Sequence, residues 1–83
     1  MRYAYMGFFT LTDAQRAKEI LERRRLKASV VRMPSDPGVG CAFGLRLRAG
    51  DSENARRILE ANRIHMGKTV YRREDGETGY DLL

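Results

Sequence analysis

The sequence predicts an α+β protein: a ferredoxin-like βαββαβ sandwich with a four-stranded antiparallel sheet and two helices on one face. Segments with strand and helix patterns follow one another in the order strand, helix, strand, strand, helix, strand. The length of 83 residues fits one domain with a modest core. A weak internal repeat relates the two halves of the chain, as two interleaved βαβ units would. We therefore expect a single ferredoxin-like domain over residues 1–83.

The first half of the chain predicts a strand, a helix and a second strand. Residues 2–10 are rich in Tyr and Phe, which favour a strand. Thr12-Asp13-Ala14-Gln15 has the form of a capping box, which predicts a helix over residues 13–25. Residues 28–33 form the second predicted strand, which ends before Pro34 because a residue that precedes proline avoids helical geometry. The helix has one mostly apolar face, formed by Ala14, Ala17, Ile20, Leu21 and Arg24.

The second half predicts two further strands and a helix. Residues 41–47 alternate as a third strand, with Phe43, Leu45 and Leu47 on one face and Arg46 and Arg48 on the other. The following helix is expected to be capped by Gly50-Asp51-Ser52, and a fourth strand is expected at residues 68–72. Asp75-Gly76 is typical of a two-residue hairpin turn, so residues 78–82 predict a short C-terminal fifth strand. The inward face of the second helix is expected to comprise Ala55, Ile58, Leu59 and Asn62.

The internal repeat appears when the chain is shifted by 38 positions. Two copies are too few for a solenoid, but they are what a two-fold βαβ plan leaves in a sequence. The repeat therefore supports the ferredoxin-like topology, although chance agreement among common helix residues gives a similar pattern. The matched positions are Asp13 with Asp51, Ala17 with Ala55, Ile20-Leu21-Glu22 with Ile58-Leu59-Glu60, Arg25 with Arg63, and Leu26 with Ile64.

The net charge of +5 is unevenly distributed. Residues 1–33 hold eight Lys/Arg against three Asp/Glu, whereas residues 34–83 hold eight of each. The excess lies mainly in Arg23-Arg24-Arg25 and Lys27. Such a basic stripe attracts nucleic acid, an acidic partner or an anionic ligand. The alternative is structural, because these cations follow a predicted helix and complement the negative end of its dipole.

Composition excludes several classes of protein. The single cysteine, Cys41, cannot form an internal disulfide or a cysteine metal cluster. This usage fits a reducing cytoplasm, and the alternative is an intermolecular disulfide through Cys41. No apolar run reaches membrane-spanning length and no signal peptide precedes the first strand, so we expect no membrane partner. A phosphate-binding loop, paired carboxylates and metal-ligand spacing are also missing from the sequence, which argues against a self-contained enzyme.

Cys41 is the candidate functional residue. It follows a loop rich in Pro and Gly, residues 34–40, and it begins the third predicted strand. Such a loop lets the backbone pass close to a ligand, and nearby cations favour the thiolate form of a cysteine. The alternative is that Cys41 is a small buried apolar residue, as many lone cysteines are.

The chain resembles the putative selenium/sulfur carrier protein-like family, a group of small ferredoxin-like domains. The resemblance rests on three stretches: the aromatic strand and helix from Tyr5 to Leu26, the segment Gly40-Cys41-Ala42-Phe43-Gly44-Leu45-Arg46, and the helix and strand from Ile58 to Arg72. It covers a family-like core of about residues 3–72 and leaves residues 73–83 as a C-terminal hairpin extension.

The resemblance implies a carrier that holds sulfur or selenium as a persulfide or selenopersulfide on Cys41. It implies no cofactor and no metal, and its partners would be a desulfurase-type donor and an acceptor protein. A carrier thiol must be ionised enough to attack a donor persulfide and exposed enough for a second protein to reach it. The supporting residues would be Gly38, Gly40 and Gly44, which leave space around the loop, and Arg32, Arg46 and Arg48, whose charges would lower the pKa of the thiol.

Two features depart from the family pattern. Family members usually have Gly directly after the Cys, whereas Ala42 and Phe43 stand here before Gly44. Family members often close each helix with Gly, whereas this chain has Arg25 and Arg63. Because a positive φ strains arginine, we expect either Asn62 as the cap of the second helix or a different turn.

Two other functions remain open from the residues. The ferredoxin-like sheet is also an RNA-binding scaffold, and Tyr3 and Tyr5 on the first strand could stack on bases. Alternatively, the domain is an interaction module with a structural Cys41, for instance a homodimer that covers an open sheet face. Neither function requires chemistry at the thiol. His65 lies in a polar turn and is expected to be a surface residue.

Overall fold

The chain folds as a four-stranded antiparallel sheet with two helices, in the order that the sequence predicts. A computed structural model describes residues 1–33 and 43–73. The strands are β1 (Arg2–Phe8), β2 (Ser29–Arg32), β3 (Phe43–Arg48) and β4 (Thr69–Arg73), and the helices are α1 (Leu11–Arg23) and α2 (Ser52–Ala61). The spatial order is β2-β3-β1-β4, and every pairing is antiparallel. The ferredoxin-like prediction is confirmed. The predicted Asp75-Gly76 turn and fifth strand lie outside the described residues.

The period-two alternation of the strands places the main core between the sheet and the helices. Ala4, Met6 and Phe8 of β1 belong to this core together with Leu45 and Leu47 of β3. Partly buried Phe43 packs against the same core, as predicted. From the helices come Ala14, Ala17 and Leu21 of α1 and Ala55, Ile58 and Leu59 of α2.

A smaller apolar cluster occupies the other face of the sheet. It consists of buried Tyr5, Val31 and Met33, against which Tyr3 and Val70 pack. Because alternate residues of a strand point to opposite faces, Tyr3 and Tyr5 lie on the side of β1 away from Ala4 and Met6. We call this group the outer cluster.

Helix α1 begins two residues before its predicted start. The capping box at Thr12 was wrong, because Thr10 is the N-cap and its hydroxyl oxygen accepts a hydrogen bond from the backbone N–H of Asp13 at 3.1 Å. Thr10 is still extended, at φ −132° and ψ 155°, directly after β1 ends. The short connection from β1 therefore turns at the first threonine and leaves Thr12 inside the first helical turn. Both residues carry the hydroxyl that a cap needs, so the sequence pattern did not distinguish them.

Helix α2 is entered through a 3₁₀ turn at Ala49–Asp51. Asp51 is its N-cap by position, but its backbone is already helical and its side chain makes no capping hydrogen bond, in contrast to the prediction. The hydroxyl of Ser52 instead donates to the carbonyl oxygen of Ala49 at 2.8 Å and lies 3.2 Å from the hydroxyl of Tyr71. The turn thus uses backbone and serine hydrogen bonds where a carboxylate cap was expected.

Asn62 is exposed, so its predicted place on the inward face of α2 was wrong. It is the C-cap, and its side-chain amide donates to the carbonyl oxygen of Ile58 at 2.8 Å. The same carbonyl oxygen also accepts the backbone N–H of Asn62 at 3.2 Å, so the amide adds a second hydrogen bond at the helix end and does not enter the apolar core. The helical period of the sequence predicted an inward position for Asn62. The helix ends at Ala61, so that period no longer sets the direction of the Asn62 side chain.

Both helices end in the same motif, built around an arginine with positive φ. Arg25 has φ 63° and Arg63 has φ 58°. In α1 the N–H of Arg25 donates to Glu22 and that of Leu26 to Leu21, both at 2.9 Å. This is a Schellman motif. The expectation that arginine would avoid a positive φ was therefore wrong, whereas Asn62 is the cap of the second helix, as one of the two alternatives predicted.

The second helix repeats the motif at the positions given by the 38-residue shift. The N–H of Arg63 donates to Glu60 and that of Ile64 to Leu59, both at 3.0 Å. Ile64 is buried in the main core, and Leu26 packs against it. The hydrogen bonds and this apolar contact hold each arginine in a conformation that it disfavours alone.

We expect Arg63→Gly to raise the free energy of unfolding by about 0.5–1 kcal/mol. The left-handed conformation costs a residue with a Cβ about 1–2 kcal/mol, and the larger backbone entropy of glycine in the unfolded chain cancels part of that gain. Thermal unfolding would show a melting temperature higher by several degrees. Arg57→Gly is the control, because it makes the same change inside α2, where glycine is unfavourable. It should lower the free energy of unfolding by about 1 kcal/mol. A decrease for Arg63→Gly would contradict the strain at this position.

None of the helices within residues 1–33 and 43–73 is both long enough and apolar enough to cross a lipid bilayer.

Candidate functional site

The predicted site surrounds the connection between β2 and β3. Cys41, Gly38 and Gly40 lie in this connection, outside the described residues. Its two ends are held side by side, because Arg32 at the end of β2 pairs with Phe43 at the start of β3. Phe43 also pairs with Phe8 at the end of β1. The connection therefore starts and finishes at one end of the sheet, which we call the loop end.

The three predicted site arginines do not lie together. Arg32 is exposed at the loop end. Arg46 lies three residues and Arg48 five residues further along β3 than Phe43. At about 3.3 Å per residue, these distances along the strand are roughly 10 Å and 17 Å. Arg32 thus stands at the base of the connection, whereas Arg48 lies at the opposite end of the sheet, beside Tyr3.

Arg46 is held on the outer face of the sheet by an aromatic ring. Its guanidinium carbon lies 4.2 Å from the centroid of the Tyr3 ring, a cation–π contact. Arg46 is partly buried and directly opposite buried Tyr5 in the β1–β3 register. This contact fixes Arg46 within the sheet face, well away from the loop end.

Gly44 is buried in β3, one residue after the connection ends. A Cβ built on it would lie 2.7 Å from the backbone oxygen of Met6 and would collide with the side chain of Met33. Met33 is the last described residue before the connection and is buried against the outer face. The missing side chain of Gly44 therefore makes room for Met33, which anchors the start of the connection on the sheet.

The base-stacking surface of the RNA hypothesis is not open in this structure. Tyr5 is 0 % exposed. Tyr3 is partly buried, and Arg46 lies over its ring. An RNA-recognition sheet needs rings whose faces are free to stack on bases. These two tyrosines instead pack within the outer cluster.

A groove that the sequence did not predict lies at the end of the sheet opposite the loop end. Its volume is about 550 Å³. Among the described residues, four cationic side chains line it: Lys18, Lys27, Arg46 and Arg48. The remaining lining residues are Tyr3, Glu22, Ala28, Ser29 and Leu47. We call it the basic groove. Lys27 belongs to the basic stripe in the sequence, but that stripe does not predict that Lys27 lines a groove together with residues of β3, because the groove depends on tertiary packing.

The remaining titratable side chains of the described residues do not form a second candidate site. His65 is exposed, as predicted, and lines a shallow depression with Glu60, Arg63 and Met66. Within residues 1–33 and 43–73, no group of three or more His, Cys, Asp or Glu side chains is placed to hold a metal ion. On α2, Glu53 accepts two hydrogen bonds from Arg56, at 2.9 and 3.0 Å, and this contact raises the pKa of Arg56.

Comparison with known proteins identifies the family. Neither the curated proteins nor the solved structures contain a significant match. A family model described as "Putative Se/S carrier protein-like" matches residues 3–71, from β1 into β4. The matched segment is most of the chain and contains Cys41. The family that the sequence resembles is thus confirmed, and the chain belongs to the Se/S carrier protein-like family.

Proposed function

We propose that this protein carries a sulfur or selenium atom on Cys41 from a donor protein to an acceptor protein. The observation that carries the proposal is the family match over residues 3–71. Cys41 is the only thiol in the chain and lies within the matched segment. A carrier of this kind holds its cargo covalently, and a cysteine sulfur is the group best suited to forming and breaking such a bond.

The loading reaction is a thiolate displacement. The Cys41 thiolate attacks the outer sulfur of a donor persulfide, R–S–SH. A bond forms between the two sulfurs, the S–S bond of the donor breaks, and the donor leaves as the thiolate R–S⁻. Cys41 then carries –S–SH, and the number of atoms and electrons is unchanged. A selenopersulfide donor, R–S–SeH, reacts in the same way and leaves –S–SeH on Cys41. No external oxidant or reductant is needed.

The surrounding fold supports this chemistry in two ways. The ends of the Cys41 connection are fixed by the Arg32–Phe43 pairing and by Met33 packed over Gly44. A rigid base reduces the entropy lost when a second protein engages the loop. Arg32 adds a positive charge at that base, and a cation near a thiol favours the thiolate that the reaction requires.

The test is intact-mass analysis after incubation with a cysteine desulfurase and cysteine. The wild-type protein should gain the mass of one sulfur atom, and with selenocysteine as substrate the mass of one selenium atom. Cys41→Ser should gain neither. A dithiol reductant should remove the adduct, because two thiols convert Cys–S–SH into Cys–SH, hydrogen sulfide and a disulfide.

A relocated thiol controls for non-specific reaction. Thr12→Cys in the Cys41→Ser background places a thiol on the exposed first turn of α1. This variant should alkylate readily with a maleimide but load much more slowly than wild type. The proposal fails if wild-type Cys41 alkylates and still shows no added mass. It also fails if the relocated thiol loads as fast as Cys41.

A further inference from the structure

The basic groove collects cations from three separate elements. Lys18 comes from α1, Lys27 from the connection to β2, and Arg46 and Arg48 from β3. Ser29, which lines the same groove, pairs with Arg46 in the β2–β3 register. The fold therefore brings these four cations together. They are different residues from the run of arginines at the end of α1.

Among the described residues, the groove brings the positive charges of Lys18, Lys27 and Arg48 together without a paired carboxylate. Within the part of the chain that the structure describes, Glu22 is the one acidic residue that lines the groove. Among residues 1–33 and 43–73, no carboxylate lies within 4.0 Å of the charged groups of Lys18, Lys27 or Arg48. Like charges held close together repel one another, more strongly at low salt. An arrangement that opposes folding in this way is typical of a surface that receives an oppositely charged partner.

We propose that the basic groove binds an acidic segment of the protein that exchanges sulfur or selenium with Cys41, an inference that rests on the proposed function. Arginine guanidinium groups hold carboxylates through paired hydrogen bonds, and lysines add unoriented positive charge. Ala28 and Leu47 supply apolar lining between the cations, which suits the side chains of a peptide. The groove volume of about 550 Å³ is enough for a short segment of extended chain.

The observations favour a protein over a nucleic acid. A single strand of RNA would need an open aromatic face for its bases. The Tyr3 ring is covered by Arg46 at 4.2 Å, and Tyr5 is buried.

The groove lies at the end of the sheet opposite the two strand ends, Arg32 and Phe43, that the Cys41 connection joins. Arg48 and Phe43 are at opposite ends of β3, roughly 17 Å apart along the strand. The segment of the partner that binds in the groove would therefore not cover the loop end. The groove would therefore hold the partner while the Cys41 connection carries out the transfer.

The first test measures binding of a fluorescent decaglutamate peptide by anisotropy at low ionic strength. Lys27→Gln/Arg48→Gln removes two charges from the groove. Arg57→Gln/Lys68→Gln removes the same charge from exposed positions that do not line the groove. We expect the groove variant to bind roughly tenfold more weakly, because each lost pair weakens binding by about two- to fivefold. The control variant should change by less than about twofold. Equal weakening in both variants would show that net charge alone binds the peptide and would overturn the proposal.

A second probe tests the choice of partner. An oligouridylate of equal charge should bind the wild-type groove no more tightly than decaglutamate does. Tighter binding of the RNA, lost in the groove variant but kept in the control, would overturn the assignment of a protein partner. The melting temperature of the groove variant at low salt should equal or exceed that of wild type, because repulsion is relieved. A lower value would contradict the electrostatic cost on which the inference depends.

The last measurement separates this inference from the proposed function. Inorganic polysulfide can load Cys41 without any protein donor. We expect the groove variant to load like wild type with polysulfide but several-fold more slowly from the desulfurase. Unchanged loading from the desulfurase would overturn the docking inference and leave the carrier function intact. Failure of wild type to load from either source would reject the carrier function, whereas the peptide-binding result would still stand.

Discussion

Leu59→Ala is expected to lower the free energy of unfolding by about 2–5 kcal/mol. Leu59 is 0 % exposed and belongs to the main core between the sheet and the helices. Its carbonyl oxygen also accepts the hydrogen bond from Ile64 that closes the Schellman motif of α2. Truncation removes the apolar contact and leaves a cavity where the helix turns back toward β4. An 83-residue domain has a total stability of about 4–12 kcal/mol, so this loss is a large fraction of it.

Thermal unfolding followed by circular dichroism would measure this effect. The melting temperature should fall by at least about 8 °C, at about 4–8 °C per kcal/mol for a domain of this size. Leu11→Ala makes the same chemical change at a helix residue that is 37 % exposed, and it should cost less than about 1 kcal/mol. The internal repeat predicts that Leu21→Ala behaves like Leu59→Ala, because Leu21 is also 0 % exposed. Equal effects at Leu11 and Leu59 would contradict the packing described.

Gly44→Ala is expected to destabilise the protein by about 1–3 kcal/mol, the usual cost of overpacking a filled site. The added Cβ would lie 2.7 Å from the backbone oxygen of Met6 and against the side chain of Met33. Methionine is flexible and can move, but the oxygen is fixed within β1. Relief therefore requires a shift of the strand pair or displacement of Met33 from the outer face.

Chemical denaturation of Gly44→Ala and Gly50→Ala would measure this cost. Gly50 is exposed, and a Cβ built on it meets nothing within 4 Å. The Gly50 change should therefore be close to neutral. The double variant Gly44→Ala/Met33→Ala should lose less stability than the two single changes added together, since the shorter side chain no longer collides. Additive losses would show that the Met6 contact alone carries the cost.

The pattern of apolar residues predicted the topology, because the buried faces of strands and helices repeat at short intervals along the sequence. Phe43, Leu45 and Leu47 alternate along β3, and all three join the main core as expected. The 38-residue repeat also corresponds to a repeated structure. Each hydrogen bond of the Schellman motif in α1 has its counterpart 38 residues later in α2. The conformation of Arg25 and Arg63 was mispredicted, because intrinsic preference was weighed without the buried contact of the following Leu or Ile.

Helix ends were predicted less well than helix faces. Thr10 and Thr12 offer the same capping hydroxyl, and the short turn out of β1 decides between them. Asn62 follows the inward period of α2, yet the helix ends there and its side-chain amide donates to the carbonyl oxygen of Ile58. In each case the choice depends on where the chain must change direction, which several distant contacts determine together.

The amino-acid sequence by itself determined the order of elements, the buried faces and the single thiol, because each follows from local periodicity or from one residue type. The family followed from the resemblance of three stretches to known proteins. The tertiary structure decided which distant side chains meet. It separates Arg32 from Arg48 by the length of β3 and places Arg46 over Tyr3. It also joins cations from α1, the following connection and β3 into one groove. Such contacts arise from strand register and helix packing. These act between residues far apart in the chain, so they produce no local pattern in the sequence.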